Sequence, residues 1–353
     1  MKICVRFELL ILAIIVGFDS SNLTLNSVLG EPPQEKENKE VDPARTRDFH
    51  GDSKILFATP AESIAALSRQ DAFLGSLSRF DIQSRMNTDR AVKKSEYVEF
   101  ISKEVLAWKP EEQQRLQTAV ERVRHKLSDL ELPFPKRILL VKTTGREEGG
   151  AAYCRGNAIV LPSRLLQRSD ESMERLLIHE LFHVLSSTNP ALRDRLYSII
   201  GFSRCPTISL PKSLQDRKIT NPDAPTIEHF IEVEFQGKEI SVAPVLIADK
   251  ADYVPSRNGS FFKYMQFRLL LLTREGERMV PSLVDQKPLL LDPNKVPSYR
   301  AQIGDNTNYI IHPDEILADN FVLMVVRHKQ PATPKIIEKL QAVLKTAKRE
   351  PRP

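Results

Sequence analysis

The sequence predicts an α+β fold with a mixed sheet and an inserted β-rich region, on three observations. Leu116, Val120, Val123 and Leu127 repeat at helical spacing after Pro110. Arg137 to Thr143 (RILLVKT) then reads as a buried strand, with two more short strand candidates before a second long helical stretch. Between 203 and 300 the pattern changes to strand-like runs, including a hairpin centred on Gln236-Gly237.

Taken in order, the chain begins like an exported protein. Lys2 and Arg6 precede an unbroken apolar run from Leu9 to Phe18, the arrangement of a signal peptide. Val28-Leu29-Gly30 offers a cleavage point, so residues 1–30 are read as the signal; an uncleaved membrane tether is the alternative. Residues 31–55 carry many Glu, Lys, Asp and Pro and read as a flexible linker. A helical region over 56–130 follows, with short helices from Ala61 to about Phe80 and a clearer one from Pro110, whose first turn holds Glu111 and Glu112.

Residues 131–353 are expected to form the catalytic domain, with the β-rich insertion at 203–300. Pro133 and Pro135 separate the Pro110 helix from the 137–143 strand. Gly149 to Cys154 and Asn157 to Pro162 read as two strands around an Arg155-Gly156 turn. Ser169-Asp170-Glu171 caps the next helix, which runs to about Ser187, and a further helix starts at Pro190. After the hairpin, Phe261 to Thr273 reads as a strand and Met279 to Ala301 as irregular. His312-Pro313-Asp314-Glu315 opens a helix to about His328, and Thr333-Pro334 opens the last one.

Composition narrows the function classes. The 353 residues carry a net charge of +5, and the basic residues are dispersed apart from a run between Lys345 and Arg352. A solvated basic surface is therefore expected rather than a nucleic-acid footprint. Removal of Cys4 with the signal leaves Cys154 and Cys205, a candidate disulfide pair in an exported protein; two buried free thiols are the alternative.

The chemistry is concentrated in His179-Glu180-Leu181-Phe182-His183. Histidines four residues apart lie on one helix face, so both imidazoles can reach one Zn²⁺, with Glu180 beside the first to act on metal-activated water. A hydrolytic zinc site needs a third protein ligand, and Glu315 is the best candidate. Asp319 follows one turn later, at the spacing to accept the free ring N–H of a histidine ligand.

HExxH followed by ExxAD (Glu315-Ile316-Leu317-Ala318-Asp319) resembles the gluzincin branch of the zincin metallopeptidases. The resemblance covers about 130–190 and 308–328. It implies a zincin-like fold in which a mixed sheet with an antiparallel edge strand lies over the HExxH helix. It also implies His179, His183 and Glu315 as zinc ligands, Glu180 as general base and Asp319 as the partner of a ligand histidine. The related metzincin pattern is not met, since Ser186 and Asn189 stand where it requires glycine and histidine. The stretch between the two motifs is longer than in compact gluzincins.

An oxyanion stabiliser is expected opposite the metal, with Tyr309, His229 and His312 as candidates. The Gly149–Cys154 strand is a candidate exposed edge on which an extended peptide could add by backbone pairing; an ordinary glycine-rich turn is the alternative. These readings point to an exported zinc peptidase acting on peptide or protein substrates. Two rivals stand beside it: a catalytically inactive zinc-bearing module that binds a protein or cell-wall partner, and a structural protein in which HELFH is accidental. Substrate preference and oligomeric state are not encoded in any motif.

Overall fold

Every strand of the first sheet is short, and its position follows from which faces must be covered. In a computed structural model describing residues 43–257 and 260–347, Thr46–His50 (β1) and Ser53–Phe57 (β2) form an antiparallel pair. β2 lies parallel to Arg137–Thr143 (β3), which lies parallel to Ala158–Pro162 (β5). Tyr153–Arg155 (β4) closes the edge antiparallel to β5, giving the order β1-β2-β3-β5-β4 in a mixed sheet. The chain is therefore α+β. The export signal and the first part of the expected linker lie outside the described residues. The end of that linker is corrected: β1 and the start of β2 fall within residues 31–55, with Phe49 and Ile55 in the core.

Both faces of this sheet are buried, which is why β3 reads as a continuous apolar run. On one face Ile138 and Leu140 meet the helices Pro110–Lys126 (α5) and Asp170–Thr188 (α6). On the other, Val141 and Val160 meet Pro60–Leu67 (α1), Ala72–Ser76 (α2), Arg79–Arg85 (α3) and Lys94–Glu104 (α4). Fully burying each large apolar side chain contributes roughly 1.5–3 kcal/mol.

Pro190–Ser198 (α7) leads into an antiparallel second sheet, in the stretch where the sequence turns strand-like. Phe202–Arg204 (β6), His229–Phe235 (β7), Lys238–Ala248 (β8), Met265–Glu275 (β9) and Arg278–Pro281 (β10) lie in sequential order, and Leu290–Leu291 also pairs with β9. The β7–β8 turn is Gln236-Gly237, both with positive φ, at 54° and 75°. Ile231, Val233 and Val242 face the main core, while Phe230, Val245 and Ile247 cover a smaller core with Lys212–Gln215 (α8).

Pro297–Ile303 (α9), Pro313–Val325 (α10) and Pro334–Lys345 (α11) complete the chain. α10 packs along α6 through Phe321 and Phe182, whose rings are 5.7 Å apart. No helix among the described residues is long and apolar enough to cross a membrane.

Candidate metal centre

Ser169 caps α6 by accepting the Ser172 amide, and Asp170 and Glu171 suit the positive end of the helix. Leu177, Ile178, Leu181 and Leu185 bury the helix in the main core and fix its rotation. That rotation points His179 and His183 at the N-terminal turn of α10, where Glu315 projects toward them. His179 Nε2 lies 3.2 Å and His183 Nε2 3.5 Å from the same oxygen, Glu315 Oε2. Ligand atoms of these three residues all fall within 4.8 Å of one another.

Each histidine is oriented through its other nitrogen. His179 Nδ1 donates to Asp319 Oδ1 at 3.2 Å, and Thr307 Oγ1 donates to the second oxygen of Asp319. His183 Nδ1 donates to Asp314 Oδ2 at 2.6 Å, and Tyr197 OH donates to Asp314 Oδ1 at 2.7 Å. Both imidazoles are thereby held with Nε2 toward Glu315, the tautomer a metal requires. Asn221 Nδ2 donates to Glu315 Oε1, leaving Oε2 for the histidines.

The electrostatics fit a cation. Burial opposes charge on His179, but its bonds to Asp319 and Glu315 prevail and push the imidazole up to about 10. Burial likewise opposes charge on His183, yet the negative field of Asp223 and Glu315 raises it well above the usual range. Burial would raise Glu315, but the His183 charge and bonds from both imidazoles hold its carboxyl well below the usual range. Two imidazole nitrogens and one carboxylate oxygen form a donor set of the kind that catalytic zinc uses. His183 and Glu315 are sealed, whereas the His179 side chain is 17% exposed, so access is from that side.

Glu180, beside His179, is also buried, and burial raises its carboxyl against the lowering effect of both imidazoles. Tyr309 faces the same pocket: its ring centroid is 6.5 Å from that of His179. Burial, reinforced by Glu315 and Asp223, pushes its phenol well above its ordinary range.

The other two oxyanion candidates have different partners. His229 Nε2 bonds Asp194 at 2.9 Å, and its ring packs on Tyr197. His312 is the N-cap of α10, its Nδ1 accepting the Asp314 amide; burial pushes it down to about 4, which keeps the ring a neutral acceptor. With Asn221 and Ile311 they line a small cavity.

Two further expectations are corrected. Cys154 and Cys205 are both free: Cys154 lies in the main core against α6, and Cys205 in the separate core under the second sheet. The Cys154 thiol instead sits 3.2 Å from Glu180 O and 3.5 Å from Glu180 Oε2. The Gly149-Gly150 pair is a turn rather than strand, with φ of 60° and 86°; a Cβ on Gly149 would stand 2.7 Å from the Phe262 ring. Its small size admits Phe262.

Asp314, Tyr197, Thr307, Asn221 and Asp223 join the site without having been marked by any motif. Asp314 alone had a signal, as an acid next to Glu315 in the first turn of α10. No family model, curated protein or solved structure matches the chain.

Proposed function

We propose that the chain is an exported zinc-dependent peptidase with a gluzincin-type centre on a zincin-like fold. The observation that carries this reading is the approach of both Nε2 atoms to Glu315 Oε2 while carboxylates hold both Nδ1 atoms. His179, His183 and Glu315 would hold the metal, leaving one position toward the open His179 side. Bound zinc would supply Lewis-acid polarisation of water and of the scissile carbonyl.

The remaining steps belong to the protein. Glu180 takes a proton from the attacking water as its oxygen bonds to the carbonyl carbon. Its buried position keeps bulk water from competing for that proton. As the C–N bond breaks, the same carboxyl passes the proton to the leaving amine nitrogen. Tyr309, kept protonated by its surroundings, donates to the oxyanion that develops on the carbonyl oxygen.

The test is purified mature protein assayed for zinc content and for cleavage of a broad peptide mixture. One zinc per chain and chelator-sensitive hydrolysis are expected. Glu180→Gln should keep its zinc while kcat falls by about 10²- to 10⁴-fold. Chelator-insensitive cleavage, or full activity in that variant, would overturn the reading.

A further inference from the structure

β4 is the edge of its sheet, so a peptide lying beside the metal ligands would be expected to pair with it. The outer side of that strand is already taken. The Cys154 amide, which an added strand would use, donates to Asp223 Oδ1 at 2.6 Å. Asp223 comes from the inserted region, 69 residues further along the chain.

The segment carrying it is fastened on all sides. The Ile219 amide donates to Leu246 O at 2.7 Å, and the buried guanidinium of Arg85 reaches Thr220 O at 3.4 Å. Asn221 bonds Glu315 and also accepts the Asp223 amide through Oδ1 at 3.0 Å. Such a segment is a fixed wall across the edge, not a flap, and a substrate strand must stop where it stands.

The chemistry of the wall selects which end of a peptide stops there. A carboxylate oxygen of Asp223 lies within 4.8 Å of one from Glu180. Among the described residues no Lys or Arg side chain pairs with Asp223, and its Oδ2 receives no hydrogen bond. A peptide C-terminus would add a third acid beside two carboxyls that burial already pushes up, and the backbone donor at the edge is already consumed. An ammonium group would gain a charge-assisted bond to Oδ2.

We infer that Asp223 binds the free α-ammonium group of the substrate, so that the protein removes residues from peptide N-termini. This rests on the peptidase reading above and adds the substrate class to it.

The experiment uses one peptide in two forms, with a free and with an acetylated N-terminus. The zinc-loaded protein should release the N-terminal residue of the free form and spare the acetylated one. Calorimetry on Glu180→Gln, whose slowed turnover lets binding be read first, should show the free form at least about tenfold tighter. That preference should disappear in Glu180→Gln/Asp223→Asn, whose zinc content should match the parent. Internal cleavage of the acetylated peptide, or equal binding of both forms, overturns the inference and leaves the peptidase reading standing. Zinc-loaded protein that cleaves neither form removes both.

Discussion

His183 Nδ1 and Asp314 Oδ2 stand 2.6 Å apart, with side-chain exposures of 1% and 0%. A carboxylate this deeply buried needs every partner it has, and Asp314 uses its other oxygen for the Tyr197 hydroxyl. The chain Tyr197–Asp314–His183 fixes the ring and makes Nε2 a better electron donor. Replacing Asp314 by Asn keeps the shape but removes the charge, so zinc affinity should fall by about 10- to 100-fold, and further in Asp314→Ala. Competition with a chelator of known affinity measures this; unchanged affinity would show that Asp314 only fills space.

A second buried group connects the helical region to the site. Arg85 bonds Asp81 and Glu148, all three side chains at or below 1% exposure, and also holds Thr220 O. Removing the cation leaves two acids buried without compensation. Arg85→Met should cost about 3–5 kcal/mol in urea unfolding at about pH 8, above the value of about 7 to which burial pushes Glu148, well beyond what lost packing explains. A loss under about 1 kcal/mol would mean the acids are already neutral, since removing a partner from an ionised buried pair costs more.

What could be read in the sequence was whatever is local in the chain. His179, His183, Glu315 and Asp319 are pairs at i, i+4, a spacing that any helix places on one face. The hairpin turn and the Ser169 cap are local for the same reason. β1 was hidden because Phe49 alone of its five residues is buried. Lys94–Glu104 is equally quiet, since only Tyr97, Ile101 and Glu104 turn inward. Asn221 and Asp223 could not be found by any period: they reach Glu315 and Cys154 across 94 and 69 residues, through a loop whose course depends on the second sheet. The disulfide expectation failed on the same ground, because counting cysteines says nothing about which core each one enters.

The two free thiols make a simple prediction. Thermal unfolding with and without a strong reductant should coincide, and alkylation after unfolding should modify both Cys154 and Cys205. A bridge would instead contribute about 2–4 kcal/mol that reductant removes.

Glu147 and Glu148 give the protein a pH dependence of their own. Both are buried beside β4, and the Oε2 atom of each has no hydrogen-bond partner. Burial pushes both carboxyls up from 4.5 to about 7. The folded state thus keeps protons that the unfolded chain releases, so their contribution is complete below about 4.5 and is lost as pH rises through about 7. Glu147 is the cleaner probe, because Glu148 also pairs with Arg85. Glu147→Gln mimics the protonated acid and keeps the acceptor for Thr143 Oγ1, 2.6 Å away. Relative to the parent it should gain stability steadily between about pH 4.5 and 7.5, reaching on the order of 3 kcal/mol, and then level off. Using the difference between the two proteins cancels the other carboxylates, whose titration acts on both alike. A gap independent of pH would show that Glu147 ionises in the fold as readily as in water.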